Sequence, residues 1–216
     1  MRFVRKWSYA CAAHVASVRN DNHEKRAVYY YGFFIIIGAL VKGIIMLSIA
    51  LLLGVLVPTI VVILTFGSLR MFAGGHHMDS YEKCLFVSAI FYLLTALIAK
   101  YTYIYWNSTS IIALISLTFI FGLYSIIRYA PKDNPNKRIT EPDKIKMYKR
   151  LSAIYLLVWL IITSILANLN LYLFVICMCL AVIQELFSVT PAGYSLFEKI
   201  KIALDAKKPK TKQIIS

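Results

Sequence analysis

A histidine and a cysteine lie seven residues apart in a short polar stretch between two long apolar runs. Residues 74–84 read Gly-Gly-His-His-Met-Asp-Ser-Tyr-Glu-Lys-Cys, so the pair is His77 and Cys84. A cysteine thiolate can attack a carbonyl carbon, and an imidazole can move the protons of the reaction. Packing alone gives little reason for this composition at the border of an apolar run. The pair therefore predicts nucleophilic acyl transfer, the chemistry of a cysteine peptidase.

The residues around Cys84 predict a helix start. Polar residues precede this cysteine and an apolar run follows it, which makes Asp79 and Ser80 candidate N-cap residues. The unpaired amides and the dipole of a helix N-terminus favour a thiolate. His77 is the candidate base, and Asp79 or Glu82 is the candidate group that orients its imidazole.

Helix geometry limits how His77 and Cys84 can meet. Residues seven apart on one straight helix are separated by about 10.5 Å along its axis, whereas a hydrogen bond needs roughly 3 Å. Either the backbone turns between the two residues, or the pair forms across a subunit interface. We favour a break near residues 78–80.

The same residues allow other interpretations. A zinc site could use His76, His77, Asp79, Glu82 and Cys84, but these residues have no zinc-ligand spacing signature, and we expect neither a metal nor another cofactor. A cysteine in a membrane protein is commonly a packing residue, and adjacent histidines can be polar anchors at the membrane surface.

Two further charges lie within or beside apolar runs. Arg70 precedes His77 by seven residues and is a candidate for binding a substrate carboxylate or stabilising an oxyanion, with snorkelling as the plain alternative. Glu185 follows Gln184 inside the last apolar run, where a carboxylate is costly unless it is paired or functional. The candidate partners of Glu185 are Lys42 and the polar stretch.

The composition is typical of an integral membrane protein. Of 216 residues, 60% are hydrophobic, against about half in globular domains. The 24 Lys and Arg residues outnumber the 10 Asp and Glu residues, but they lie between apolar runs and accompany no nucleic-acid-binding motif. We therefore expect a lipid bilayer and no nucleic acid as a partner. The four cysteines form no disulfide or metal framework, and Cys177 and Cys179 are expected to be packing residues.

Six apolar runs predict an all-α integral membrane protein, with some runs short or re-entrant. The runs are 28–41, 43–66, 85–99, 111–127, 151–167 and 171–189. The first two are nearly fused, and residues 27–66 would extend about 60 Å as one helix, or two bilayer cores. We therefore expect a tight hairpin around Gly38 and Gly43, and a kink at Pro58 in its second member.

Basic residues predict the orientation of the chain. Six Lys and Arg residues precede the first run, eight lie in residues 128–150 and six follow residue 189. The positive-inside rule then places both termini and the Cys84 segment in the cytoplasm. No cleavable signal peptide is expected. We predict one polytopic domain, 1–216, comprising an N-terminal interfacial or cytosolic segment 1–26, a catalytic segment 67–84, a basic loop 128–150 and a basic tail 191–216.

The N-terminal segment also has a helical pattern. Six of its residues recur at helical spacing: Trp7, Ala10, Cys11, His14, Val15 and Val18. This predicts a helix that lies on the membrane or packs under the spans, and a plain cytosolic helix remains equally open.

Two motifs resemble a known family. The first consists of Arg70, Gly74-Gly75, His77 and Cys84, and the second is Tyr-Ala-Pro-Lys-Asp-Asn-Pro-Asn-Lys at 129–137. Together they resemble the accessory gene regulator protein B (AgrB) family of Gram-positive quorum-sensing systems, over essentially the whole chain. Arg138 stands where the family usually has proline.

The resemblance implies a membrane endopeptidase that processes an AgrD-like precursor of a cyclic autoinducing peptide. Cys84 would be the nucleophile and His77 the base, and Arg70 and Gly75 match positions regarded as important in the family. The enzyme would remove the acidic C-terminal part of the precursor and form a thioester, which an internal nucleophile converts to a thiolactone or lactone. A homodimer in the bacterial cell membrane, acting at the cytoplasmic side, is also implied.

Two other functions remain open at this point. A small multispan transporter or exporter would use Glu185 and Lys42 as intramembrane charged groups. A non-catalytic membrane scaffold would have no unusually reactive thiol at Cys84.

Overall fold

The computed structural model describes residues 2–75, 80–132 and 141–206. These residues form eight α-helices and one 3₁₀ turn. The helices are α1 (Arg2–Arg19), α2 (His23–Leu52), α3 (Leu56–Ala73), α4 (Tyr81–Thr102), α5 (Ser108–Tyr129), α6 (Pro142–Asn168), α7 (Tyr172–Val189) and α8 (Pro191–Ala206). The 3₁₀ turn, Tyr103–Tyr105, extends α4.

Six of these helices, α2 to α7, are long and apolar enough to cross a membrane. No strand occurs within the described residues. The all-α fold and the expected number of six apolar helices are therefore confirmed. Large apolar side chains on the outer faces of the spans are exposed, as a lipid-facing surface requires.

Helix α7 is the centre of the bundle. It packs against α3, α4, α5, α6 and α8. Over its most apolar stretch 56% of the residues are buried, compared with at most 33% in any other span. Cys177 and Cys179 belong to the buried core around this helix, which confirms them as packing residues. Since α7 is shielded from lipid on most sides, it can carry polar groups toward the other helices.

The predicted hairpin around Gly38 and Gly43 is wrong. Helix α2 is continuous through both glycines, and the chain reverses at residues 53–55, where Gly54 has φ +67°. Gly38 is needed for a different reason: a Cβ there would lie 2.9 Å from Cε2 of Tyr81 in α4. Pro58 also has no reason to kink the helix as expected. It is the third residue of α3, where a proline removes no intrahelical hydrogen bond.

The predicted N-terminal helix is present, but its buried face differs from the expected one. Val4, Ser8, Ala12 and Ala16 form a buried stripe at four-residue spacing, and α1 packs along α2. Trp7 is exposed instead. Small residues permit the close approach of the two helices, whereas the larger side chains remain on the outside.

Asp21 stabilises the corner between α1 and α2. Its carboxylate accepts hydrogen bonds from Lys25 Nζ at 2.7 Å and from the Tyr29 hydroxyl at 2.6 Å, and Arg19 Nε lies 3.3 Å away. The hydrogen bonds from Lys25 and Tyr29 lower the pKa of Asp21 below its ordinary value. Asn22 accepts from Lys25 N and caps α2.

Candidate active site

Cys84 lies in the first turn of α4, as predicted. Helix α4 begins at Tyr81, and Ser80 is its N-cap, with the Ser80 hydroxyl accepting from Lys83 N at 3.4 Å. The amide of Cys84 donates to Ser80 O at 3.0 Å. Its thiol is half-buried. The polar residues before Cys84 therefore supply the cap, and the apolar run after it supplies the span.

The nearest polar neighbours of the thiol come from α2 and from the next turn of α4. Lys42 Nζ lies 3.7 Å from Cys84 Sγ and donates to Ser88 Oγ at 2.9 Å. The Ser88 hydroxyl donates to Cys84 O at 2.7 Å, and its oxygen lies 4.0 Å from Sγ. A lysine, a serine and the cysteine thus form one contiguous polar group at the start of α4.

Lys42 and Ser88 contact the thiol, although neither residue was predicted to do so. Two signals were present: a lysine inside an apolar run needs a polar partner, and a serine four residues after Cys84 shares its helix face. Neither signal identifies the partner, because Lys42 is 42 residues away along the chain.

Residues 76–79 lie outside the described residues, so His77, His76 and Asp79 have no described position. The chain on either side is described: α3 ends at Ala73, and α4 begins at Tyr81. The two helices are therefore separate, which agrees with the expected break between His77 and Cys84. Glu82 is an exposed second residue of α4.

Arg70 is the partner of the buried carboxylate of Glu185. Arg70 Nη1 lies 3.1 Å from Glu185 Oε2, and the Glu185 side chain is fully buried. The Arg70 guanidinium also lies over the Phe66 ring, 5.6 Å from its centroid. Two partners were predicted for Glu185, namely Lys42 and the polar stretch. In the described part of the chain, Arg70 pairs with Glu185 in place of either one. The ion pair links α3 to the central helix α7.

Gly75 packs directly on this ion pair. It is buried and has φ +134°, a backbone conformation that side chains disfavour. A Cβ at this position would lie 2.8 Å from Ser188 Oγ, 3.0 Å from Arg70 Nη1 and 3.2 Å from Glu185 Oε1. The close approach explains a glycine here and fixes the point from which the chain leaves α3.

The two motifs singled out in the sequence touch each other. Lys132 N donates to Ala73 O at 3.0 Å, and Gly74 and Lys132 form an isolated parallel bridge. A Cβ on Gly74, which has φ +79°, would lie 2.3 Å from Lys132 O. The segment after α5 therefore supports the segment that leads from Arg70 toward Cys84. Residues 133–137 of the second motif lie outside the described residues.

A cavity of about 200 Å³ opens beside the thiol. Cys84, Ser88, Lys42, Arg70 and Gln184 contribute its polar wall. The remaining lining is apolar or aromatic: Phe66, Val87, Phe91, Tyr92, Phe187 and Phe197. The site can therefore hold a bulky apolar group next to the Cys84 thiol and the two basic side chains of Lys42 and Arg70.

Among the described residues, no three His, Cys, Asp or Glu side chains are grouped so that they could hold a metal ion. Three of the five ligands considered for zinc, His76, His77 and Asp79, are outside that part of the chain.

Fold and site define a multi-pass helical membrane protein with a half-buried thiol at the start of one span, beside a lined cavity. The family model described as Accessory gene regulator B (AgrB) matches residues 8–189. Since this is most of the chain, the protein belongs to the AgrB family. Membership supports a role in quorum-sensing peptide processing.

Two relatives from Clostridium perfringens carry names that describe them only as AgrB-like. One, from strain SM101, is 28% identical over 149 residues, covering 68% of this chain and 70% of its own length. The other, from strain 13, is 26% identical over 160 residues, covering 74% of this chain and 75% of its own length. No solved structure matches the chain.

Proposed function

We propose that this protein is a membrane cysteine endopeptidase that cleaves the C-terminal part of an autoinducing-peptide precursor. The observation that carries the proposal is the placement of the Cys84 thiol at the first turn of α4, on the wall of the cavity and 3.7 Å from the Lys42 ammonium. A thiol in that setting has the features of a nucleophile: partial exposure, a nearby cation and a helix N-terminus.

The proposed reaction has two acyl transfers. The Cys84 thiolate attacks the scissile carbonyl carbon, a C–S bond forms, the C–N bond breaks, and the leaving amine takes a proton from His77. An internal thiol or hydroxyl of the precursor then attacks the thioester and loses its proton to His77, and Cys84 leaves as a thiolate. The product is a cyclic thiolactone or lactone. The second transfer is near balance in energy when the attacking group is a thiol, so exclusion of water decides its yield.

The aromatic cavity supports binding of the precursor beside the nucleophile. Phe91 and Phe197 have ring centroids 5.6 Å apart, and Phe66 and Tyr92 have centroids 4.9 Å apart. These rings suit an apolar side chain next to the scissile bond. Placing that side chain would hold the carbonyl carbon near Cys84 and reduce the entropy cost of attack.

The location and partners follow from the same proposal. The precursor is the substrate, and the basic cytoplasmic face would attract its acidic part. The site lies at the cytoplasmic side of the bacterial cell membrane. The protein acts as a homodimer, so that His77 can serve Cys84 of its own chain or of the other one. Asp79 and Glu82 are proposed to support His77, and Arg70 and Gly75 to position the catalytic segment.

The test is co-expression with the neighbouring precursor peptide, followed by mass spectrometry of the peptide and the protein. Wild type should yield a shortened, cyclised peptide, and Cys84→Ala and His77→Ala should yield neither. Cys11→Ser is the matched control, because Cys11 lies in α1. Equal processing by wild type and Cys84→Ala would refute the proposal and favour a transporter or a scaffold.

A further inference from the structure

Lys42 is a charged residue in an apolar helix, and its charge is directed at the thiol. It lies in α2, inside a stretch that can cross the membrane. A lysine there is costly unless it has a polar partner. Its ammonium contacts Cys84 Sγ at 3.7 Å and Ser88 Oγ at 2.9 Å, while the buried carboxylate of Glu185 is paired with Arg70.

The backbone of α2 is held where this contact requires it. One turn before Lys42, Gly38 O accepts a hydrogen bond from the Tyr81 hydroxyl. Tyr81 begins α4, three residues before Cys84. Gly38 has no side chain to separate the two helices, so α2 and α4 meet at two successive turns. The approach of Lys42 to Cys84 is thus a result of helix packing, and does not depend on the flexible lysine side chain alone.

Ser88 orients the ammonium. Its hydroxyl hydrogen is used in the bond to Cys84 O at 2.7 Å, so its lone pairs are available to accept from Lys42. An ammonium has three N–H donors, and one directed at Ser88 leaves two others, of which one can point to sulfur. A thiol sulfur is a weak acceptor, whereas a hydrogen bond between two charged groups is much stronger. The arrangement therefore stabilises the thiolate form of Cys84 more than the thiol form.

We propose that Lys42 is a catalytic residue that holds Cys84 as a thiolate, and that Ser88 positions its ammonium. This inference rests on the proposed function, since it concerns the nucleophile of that reaction. Lys42 contributes its charge and takes no part in the proton transfers. During acylation the sulfur gives up its negative charge as the C–S bond forms, and Lys42 remains bonded to Ser88. When the thioester is later cleaved, the same ammonium receives the departing thiolate.

The test is the rate at which iodoacetamide alkylates Cys84 at pH 7, resolved by mass spectrometry in detergent-solubilised full-length protein. Wild type is compared with Lys42→Met, Lys42→Arg and Ser88→Ala. A nearby opposite charge commonly changes the ionised fraction by tenfold or more, and part of the gain is offset because a stabilised thiolate is a weaker nucleophile. Alkylation of Cys84 should fall about 3- to 10-fold in Lys42→Met and less in Ser88→Ala. Lys42→Arg should retain most of the wild-type rate.

Two controls accompany the measurement. Alkylation of Cys11 in the same molecules should not change, which reports an intact protein. Lys100→Met removes a lysine at the other end of α4, where Lys100 Nζ donates to Gly54 O at 2.8 Å, and should leave Cys84 at the wild-type rate.

Equal Cys84 rates in wild type, Lys42→Met and Ser88→Ala would overturn the proposal. So would an equal loss in Lys42→Met and Lys42→Arg, because the thiol would then not depend on the charge. If Lys42→Met does not fold, Lys42→Gln replaces it as the variant without the charge, and a Cys84 rate in Lys42→Gln equal to that of wild type would overturn the proposal. The assay needs no precursor, so its outcome is separate from that of the processing experiment, in which Cys84→Ala tests the peptidase itself.

Discussion

Replacement of Gly75 by alanine should destabilise the protein through the ion pair on which Gly75 packs. The backbone at Gly75 has φ +134°, and the new Cβ would lie 2.8 Å from Ser188 Oγ and 3.0 Å from Arg70 Nη1. Contacts this short cannot persist, so the loop or the side chains must move. Because Arg70 is the partner of the buried Glu185, a shift of Arg70 weakens that pair.

Two contributions set the stability that Gly75→Ala should lose. A residue with a side chain in such a backbone conformation costs about 1–3 kcal/mol. Weakening a hydrogen bond to a charged group costs up to about 1.5–3 kcal/mol. We therefore expect Gly75→Ala to lower the free energy of unfolding by about 2.5–6 kcal/mol. Even the lower value corresponds to a roughly 70-fold change in the folding equilibrium.

The assay is denaturation of the purified protein in one detergent, with precursor processing measured in parallel. Gly67→Ala is the matched control, because Gly67 is in α3 and a Cβ there meets nothing within 4 Å. It should leave stability unchanged or raise it by up to about 1 kcal/mol, the helix-propensity difference. Adding Ser188→Ala to Gly75→Ala should recover part of the loss by removing the shortest contact. Wild-type stability and processing in Gly75→Ala would show that Gly75 does not pack on this ion pair.

Two further predictions concern charges. Arg70→Met should lower the free energy of unfolding by about 3 kcal/mol, because it leaves the fully buried Glu185 carboxylate without its cation. In a double-mutant cycle, adding Glu185→Leu to Arg70→Met should recover most of the lost stability, and additive losses would contradict the pairing. At the α1–α2 corner, the pKa of Asp21 is lowered from its ordinary value of 3.8, so its stabilising contribution is present above that value and lost as pH falls through the lower, folded-state pKa. Acid denaturation should therefore be less pH-dependent in Asp21→Asn, and identical pH profiles would exclude this role.

The misplaced hairpin shows why local signals can mislead in a membrane bundle. Gly38 and Lys42 interrupt an apolar run and resemble a turn, but α2 passes through both. Gly38 permits contact with Tyr81, and Lys42 contacts Cys84, so both interruptions mark contacts between helices. The actual reversal is at Gly54, whose positive φ suits glycine. A glycine or a lysine in a span serves a turn or a neighbouring helix, and periodicity does not distinguish the two.

At the candidate site, too, local features were predicted from the sequence, whereas contacts between distant segments were not. The start of α4, its Ser80 cap and the place of Cys84 in the first turn follow from a local change of polarity, and they were predicted. The partner of Glu185 was not predicted, because Arg70 lies 115 residues away and several basic residues were equally eligible by sequence. The role of His77 remains a prediction from the residue types and from the resemblance to the family, and that of Asp79 remains a prediction from the residue types alone.

The sequence by itself determined the class of the protein, the number of apolar helices and the position of Cys84 at a helix start, because hydropathy and helix capping depend on neighbouring residues. Only the tertiary structure decided which side chains surround the Cys84 thiol. Lys42 meets Cys84, Gly75 meets the Arg70–Glu185 pair, and Lys132 meets the backbone of α3, in each case through packing of distant segments around α7. The physical reason is the cost of burying charge. A charged group inside the bundle needs a polar partner, and the packing of the helices determines which side chains are close enough to be that partner.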